Sequence, residues 1–137
     1  MVNRAVQVLI LVTKLQRTNM DEKTFKTRTK KLAVEIIRQT EKLPKSRAAD
    51  VIGRQLLRSG TSIGANYRAA CRAKSTADMI NKLKIVEEES DETEYWLELL
   101  VEAELVPQDQ FASIYKETDE ILAMTIASIK TLRNRKA

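Results

Sequence analysis

The sequence contains no histidine and a single cysteine, Cys71. Histidine is the commonest general base and the commonest metal ligand, so its absence excludes the catalytic and metal sites that are built on imidazole. One cysteine forms neither an internal disulfide nor a thiolate cage, and Cys71 stands among alanines, so we interpret it as a small packing residue. Such sparing use of cysteine is typical of a reducing compartment, and we expect a cytoplasmic protein.

Glycine, proline and aromatic residues are also scarce. The chain has three Gly and two Pro, and only 4% of its residues are aromatic, whereas 31% are charged. This balance is typical of long exposed helices and argues against a β-sandwich. A chain of 137 residues is expected to fold as one domain with a single core.

The usual sequence patterns of catalysis are missing too. There is no Gly-rich phosphate loop and no Ser or Cys nucleophile beside a base. Glu87, Asp91 and Glu94 share one helical face and are spaced to hold Mg²⁺, but the same spacing suits ion pairs with arginines. We therefore predict a protein that is not an enzyme and that has no catalytic residue, no metal and no cofactor.

Residues 1–19 differ in composition from the rest of the chain. Residues 6–12 form an apolar run with basic residues on both sides. The run is shorter than the ~20 apolar residues that span a membrane, and no small-residue cleavage site follows it. Three interpretations stand: a coding-start error with Met20 as the true first residue, an additional helical turn or arm, and a membrane-targeting segment. We assign residues 1–19 to an N-terminal extension and residues 20–137 to the bundle, and we expect no membrane partner.

Beyond this extension, apolar residues recur at intervals of three and four, which predicts helices. The predicted helices span residues 21–43, 47–73, 76–105 and 108–133. Pro44 and Pro107 interrupt the pattern, and Ser46 and Ser75 are the predicted N-caps of the second and third helices. Three short connections between four helices of similar length predict an all-α, antiparallel up-down-up-down four-helix bundle.

Arginines recur on one face of the second helix. If this helix and the third turn near residue 74, antiparallel neighbours have residue numbers that add up to about 148. Arg58 then faces Asp91, and Arg54 faces Glu94. We predict that these four residues form structural ion pairs that fix the register of the two helices more than they stabilise it.

The remaining arginines of this face, Arg68 and Arg72, have no such partner. Residues 1–74 carry a net charge of +12 and residues 75–137 a net charge of −7, and the antiparallel order gathers basic residues at one end of the bundle. The predicted nucleic-acid-binding residues are Lys23, Lys26, Arg68, Arg72, Lys74, Lys82, Arg133 and Arg135. A basic end is the feature expected of a protein that binds a phosphate backbone, and the scarcity of aromatics there predicts little base stacking.

Small residues occupy the middle of the second helix, at Ser59, Gly60, Ser62 and Gly64. Each glycine costs roughly 1 kcal/mol against Ala in a helix, so its presence calls for a reason. We predict a packing surface, either against the first helix or against a second protomer. The alternative is a break in the helix near Gly60.

The segment RQLLRSGTSIGANYRAACRAKS, followed by DMINKLKIVEEESDETEYWLELL, resembles the four-helix-bundle family of proteins encoded by intervening sequences in bacterial 23S rRNA genes. The family pattern places an Arg-Ser and a Ser-Ile pair before an Asn, seen here as RS at 58–59, SI at 62–63 and Asn66. The resemblance covers residues 21–133. Where many relatives have Asn-Ile-Ala-Glu-Gly, residues 66–70 of this chain read NYRAA, which marks a distinct subgroup.

The resemblance implies a ring-like homo-oligomer, often a pentamer. A similar fold serves as the accessory protein of diversity-generating retroelements, where it binds nucleic acid and a reverse transcriptase. We therefore expect a non-enzymatic oligomeric bundle that binds structured RNA or DNA through its basic end. The alternative is a protein–protein scaffold or accessory subunit that does not bind nucleic acid directly.

Overall fold

The computed structural model describes residues 21–135, and every regular element in this range is helical. The four long helices are α1 (Glu22–Thr40), α2 (Arg47–Cys71), α3 (Thr76–Glu102) and α4 (Ala112–Asn134). A short 3-10 helix, Gln108–Gln110, precedes α4. The all-helical prediction is confirmed for this part of the chain, whereas the interpretations of residues 1–19 concern residues outside it.

Serine side chains begin α2 and α3, as the sequence predicts. Ser46 Oγ accepts a hydrogen bond from the Ala49 N–H at 3.1 Å, and Ser75 Oγ accepts one from the Asp78 N–H at 3.1 Å. Each bond satisfies a backbone donor that has no partner within its helix, which contributes about 1 kcal/mol. These caps fix where both helices start.

The ends of α1 and α3 lie earlier than predicted. α1 ends at Thr40 and α3 at Glu102, each three residues before the predicted limit. The residue before a proline is disfavoured in the helical conformation, so the chain leaves each helix ahead of Pro44 and Pro107. After α3, Glu104 adopts a φ of 59°, in the left-handed region that ends many helices.

Apolar side chains from all four helices form one core. The largest fully buried side chains are Phe25, Ile36, Leu56, Ile63, Tyr67, Met79, Leu83, Leu97, Leu100, Phe111 and Ile121. Each large apolar side chain contributes about 1.5–3 kcal/mol when it is buried. This core holds the surface residues of the four helices in fixed relative positions.

Buried hydroxyl groups line the seams between the helices. Within residues 21–135, the buried serine and threonine hydroxyls are those of Thr29, Ser59, Ser90, Thr93, Thr118, Thr125 and Ser128. Each hydroxyl lies within hydrogen-bond distance of a backbone carbonyl three or four residues earlier in its own helix. A polar seam is tolerated because these groups keep a partner after they leave water.

Gly60 and Gly64 of α2 face α1. A Cβ on Gly60 would collide with the side chain of Ile36, and a Cβ on Gly64 would lie 3.2 Å from Thr29 Oγ1. α2 runs through both positions without interruption. The predicted packing surface therefore lies against α1 at these two positions, and the predicted break near Gly60 does not occur.

Contacts between α1 and its neighbours join opposite ends of the helices. Near the start of α1, Phe25 packs edge-on against Tyr67, with ring centroids 4.3 Å apart. Near the end of α1, Gln39 accepts a hydrogen bond from Gln110 at 3.3 Å. The start of α1 thus lies beside the end of α2, and the end of α1 lies beside the residues that precede α4.

No helix within residues 21–135 is both long enough and apolar enough to cross a membrane.

Candidate nucleic-acid interface

A basic groove lies between the end of α2 and the start of α3. Its volume is about 770 Å³, and its cationic lining residues are Arg68, Arg72, Lys74 and Lys82. Arg68 and Arg72 are four residues apart, so they lie one above the other on the same helical face. Both are exposed to solvent. Four of the eight predicted nucleic-acid-binding residues therefore line one surface, which we call the basic groove.

The turn from α2 to α3 fixes the floor of the basic groove. The Lys74 N–H donates to Asp78 Oδ2 at 3.0 Å, while the Asp78 N–H donates to Ser75 Oγ. These two capping bonds hold Lys74 beside the first turn of α3. Asp78 is the one carboxylate among the groove's lining residues, so cations outnumber it four to one. The N-terminus of α3 adds the positive end of a helix dipole.

The lysines of α1 differ from each other in their pairing. Lys26 Nζ lies 2.8 Å from Glu22 Oε1, and this contact raises the pKa of Lys26. Arg68 is near enough to act on Lys26 in the opposite direction. Lys23 is exposed at the start of α1. The start of α1 therefore continues the basic surface beyond the groove, with part of its charge offset by Glu22.

Arg133 and Arg135 lie outside the lining of the basic groove. Both are exposed at the C-terminal end of α4. The basic groove therefore does not include these two predicted residues.

The predicted ion pairs of Arg58 and Arg54 are wrong in their partners. Arg58 contacts Glu89, at 3.3 Å, and Glu92. Arg54 contacts Asp50 on its own helix at 3.2 Å. Arg58 does pair with carboxylates of α3, but not with Asp91 or Glu94, and Arg54 does not reach α3.

The buried contact between α2 and α3 explains this correction. Thr93 Oγ1 donates a hydrogen bond to Ser59 Oγ at 2.9 Å, so Thr93 points directly at α2. Glu89 and Glu92 lie on the α2 side of α3, whereas Glu94 is rotated by about 100° beyond Thr93 toward α4. A register counted along the helix axis does not include this rotation.

Ser59 and Ser62 have different environments on α2. Ser59 is fully buried in the seam with α3. Ser62 is half-buried, and its hydroxyl donates to the Arg58 carbonyl at 2.7 Å. Three of the four small residues thus pack within the protomer, Gly60 and Gly64 against α1 and Ser59 against α3.

Glu94 is the least expected residue of the structure. It is only 7% exposed, and its Oε2 has no hydrogen-bond partner within residues 21–135. Burial and, after it, the nearby carboxylate of Asp119 raise the pKa of Glu94 to about 7. The sequence carried one signal of this burial, because Glu94 lies four residues after Ser90 and three before Leu97 in the apolar seam.

Sequence reasoning also missed the ion pair that joins α1 to α4. Arg28 Nη2 lies 2.6 Å from Glu117 Oε1 and 3.0 Å from Glu120 Oε2, and Arg28 Nε donates to Glu117 Oε2 at 3.0 Å. The contact holds the pKa of Glu117 below its usual range. The geometry is bidentate, which makes it stronger than a single surface contact. Because α1 and α4 are far apart in sequence, no short turn fixes their relative register, and the partner of Arg28 could not be predicted.

The remaining candidates for chemical reactivity are the Cys71 thiol and the clustered carboxylates. Burial raises the pKa of the Cys71 thiol to about 11, so the thiol stays protonated and is a weak nucleophile at neutral pH. In the range 21–135, no group of three or more acidic or cysteine side chains is arranged to hold a metal ion.

Comparison with known proteins gives the fold and the family. The sequence profile of a family described as 23S rRNA-intervening sequence protein matches residues 21–127. The chain is similar to a solved structure from Bacteroides thetaiotaomicron, a protein with unknown function from the S23 ribosomal protein family. The two are 43% identical with a TM-score of 0.74, and the match covers 80% of this chain and 97% of the other. No curated protein sequence matches the chain.

Proposed function

Since the chain belongs to the 23S rRNA-intervening sequence protein family, as its sequence pattern predicts, we propose that it is a non-enzymatic, cytoplasmic, oligomeric four-helix bundle that binds structured RNA or DNA. The observation that carries this proposal is the basic groove, where Arg68, Arg72, Lys74 and Lys82 line one open surface. Clustered cations of this kind are the electrostatic feature of proteins that bind a phosphate backbone.

The chemistry of the basic groove favours phosphate contacts over base contacts. Each guanidinium of Arg68 and Arg72 is able to donate two parallel hydrogen bonds to one phosphate, and the lysines act as point charges beside them. No aromatic residue is among those that line the groove, so the stacking that holds single strands has no platform there. We therefore expect paired or folded nucleic acid to bind better than an unpaired strand.

We also propose the antiparallel up-down-up-down arrangement and a ring-like homo-oligomer. Contacts that join the start of one helix to the end of its neighbour support the first. The second rests on the ring-like assembly that the family resemblance implies. A solution mass equal to one protomer, with and without RNA, would contradict the ring.

The groove is tested by the binding of a hairpin RNA at two salt concentrations. If about four phosphates are neutralised, affinity should fall roughly a hundredfold between about 50 and 200 mM salt. The double variant Arg68→Glu with Arg72→Glu should weaken binding at least about tenfold. The matched control is Arg38→Glu with Arg54→Glu, which makes the same change in net charge at two exposed arginines outside the groove. Equal losses in both double variants would refute the groove as the site.

The alternative function is a scaffold whose partner is a protein. The exposed Tyr95, which packs edge-on against Trp96 with ring centroids 5.2 Å apart, favours it, because aromatic residues are enriched in protein interfaces. Undetectable RNA binding at about 50 mM salt, or binding that is insensitive to salt, would replace the nucleic-acid proposal with this one.

A further inference from the structure

A second groove lies between the end of α3 and the start of α4, and it differs in chemistry from the basic groove. Its volume is about 320 Å³. Its floor and walls are apolar and are formed by Leu97, Val101, Phe111 and Ala112. Glu98, Glu102, Gln108 and Tyr115 form its polar edge. We call this surface the apolar groove.

Two carboxylates, those of Glu98 and Glu102, line the apolar groove. Tyr115 donates a hydrogen bond to Glu98 Oε2 at 3.0 Å. One turn before Glu98, Oε2 of the buried Glu94 has no hydrogen-bond partner among the residues that the structure describes. The neighbouring charges that act on Glu94 belong to Asp91, Glu98 and Asp119. A ligand suited to this surface is therefore apolar in one part and cationic in another.

The chain itself contains a segment with these two properties. Residues 6–12 read VQVLILV, in which six of seven side chains are apolar. Arg4, Lys14 and Arg17 flank them, and no acidic residue occurs before Asp21. We propose that the apolar groove binds residues 4–17 of the same molecule, with the apolar run on the groove's floor and a flanking cation beside Glu94 and Glu98.

The length of chain between this segment and α1 permits the contact. Val12 and Asp21 are nine residues apart, which allows a separation of up to about 30 Å. The hydrogen bond between Gln39 and Gln110 places the start of α4 about 27 Å along the bundle from Asp21, at 1.5 Å per residue. Tyr115 is five residues further along α4 and so lies only about 20 Å from Asp21 along the axis. A fully extended linker is therefore long enough for Val12 to meet the near edge of the groove.

The test compares the full chain with a chain that begins at Met20, by NMR of methyl groups. In the full chain, the signals of Val101, Leu97 and Ala112 should differ from those of the shorter chain. A synthetic peptide of residues 4–17, added to the shorter chain, should move the same signals toward their positions in the full chain. Coincident methyl signals in the two chains would overturn the proposal.

A matched pair of variants locates the contact. Ala112→Arg places a bulky cation in the apolar groove. It should lower the affinity of the shorter chain for the peptide by at least about tenfold. Ala127→Arg changes an exposed alanine of the same helix outside the groove and should leave the affinity unchanged. Equal effects of the two variants would refute the groove as the binding site. If the methyl differences grow with protein concentration, the segment comes from a second copy and the same-molecule proposal fails.

Discussion

Two glutamates on opposite flanks of α3 have pKa values that are shifted in opposite directions. On the flank beside α2, Glu92 accepts hydrogen bonds from Arg58 and Trp96, and the Arg58 contact holds the pKa of Glu92 below its usual range. On the flank beside α4, Glu94 is buried and its pKa is raised to about 7. The two residues are only two positions apart, which is a rotation of about 200° around the helix. The neighbouring helix, and not the residue type, therefore decides in which direction the pKa of a glutamate is shifted.

The largest effect is expected from opening the α3–α4 flank to water. Leu97→Ala should lower the free energy of unfolding by about 2–5 kcal/mol, because it leaves a cavity in the core. Leu97 lies one turn from Glu94, so water admitted there should also lower the pKa of Glu94 toward its ordinary range. Urea unfolding at pH 5 and pH 8 measures both effects.

The control for this variant is Leu56→Ala, at a fully buried position of α2. Leu56→Ala should lower the free energy of unfolding by a similar amount, and the difference between pH 5 and pH 8 should stay as large as in the parent chain. If that difference is also unchanged in Leu97→Ala, burial near Leu97 is not what raises the pKa of Glu94.

A smaller effect is expected from removing the buried carboxylate. The pKa of Glu94 is about 7 in the folded chain and near 4.5 in the unfolded chain. The folded state therefore binds more protons between these values, and this group makes stability fall as the pH rises from about 4.5 to 7. Glu94→Gln should remove that fall. At pH 8 the variant should be more stable than the parent by on the order of 3 kcal/mol, and at pH 4 the two should be equal. A constant difference from pH 4 to pH 8 would show that Glu94 titrates normally.

The smallest effect is expected on the α2 flank. The folded-state pKa of Glu92 is lowered, so its ionised form contributes stability at neutral pH that is lost as the pH falls through the acidic range. Glu92→Gln should cost less than about 1 kcal/mol at pH 7, because Arg58 is about half exposed and solvent screens the pair. The cost should shrink further in about 1 M salt. A larger loss that salt does not change would indicate packing by Glu92 instead of charge.

The helices and their caps were predictable because their signals are local. Ser46 and Ser75 act within three residues of themselves, and an apolar period of 3.6 needs no knowledge of neighbouring helices. Predicted helix ends were less accurate, since Thr40 and Glu102 end their helices where the chain must turn before a proline. The turn depends on several residues at once.

The candidate site was predictable where its residues are close in sequence. Arg68, Arg72 and Lys74 follow from helical spacing and one tight turn. The partners of Arg58 were not predictable, because an error of one residue rotates a side chain by about 100° and changes the helix that it faces. The pairing of Arg28 with Glu117 joins the first helix to the last, and no local signal connects them.

The buried hydroxyls of the seams affect how this sequence is able to change over evolution. Each hydroxyl lies within hydrogen-bond distance of a carbonyl of its own helix. Replacing a residue on the facing helix therefore leaves no hydroxyl without an acceptor. Relatives are thus free to diverge one helix at a time, without compensating mutations across the interface. Ser59 and Thr93 are the exception, because their hydroxyls also bond to each other. We expect these two positions to covary while the other hydroxyl positions drift independently.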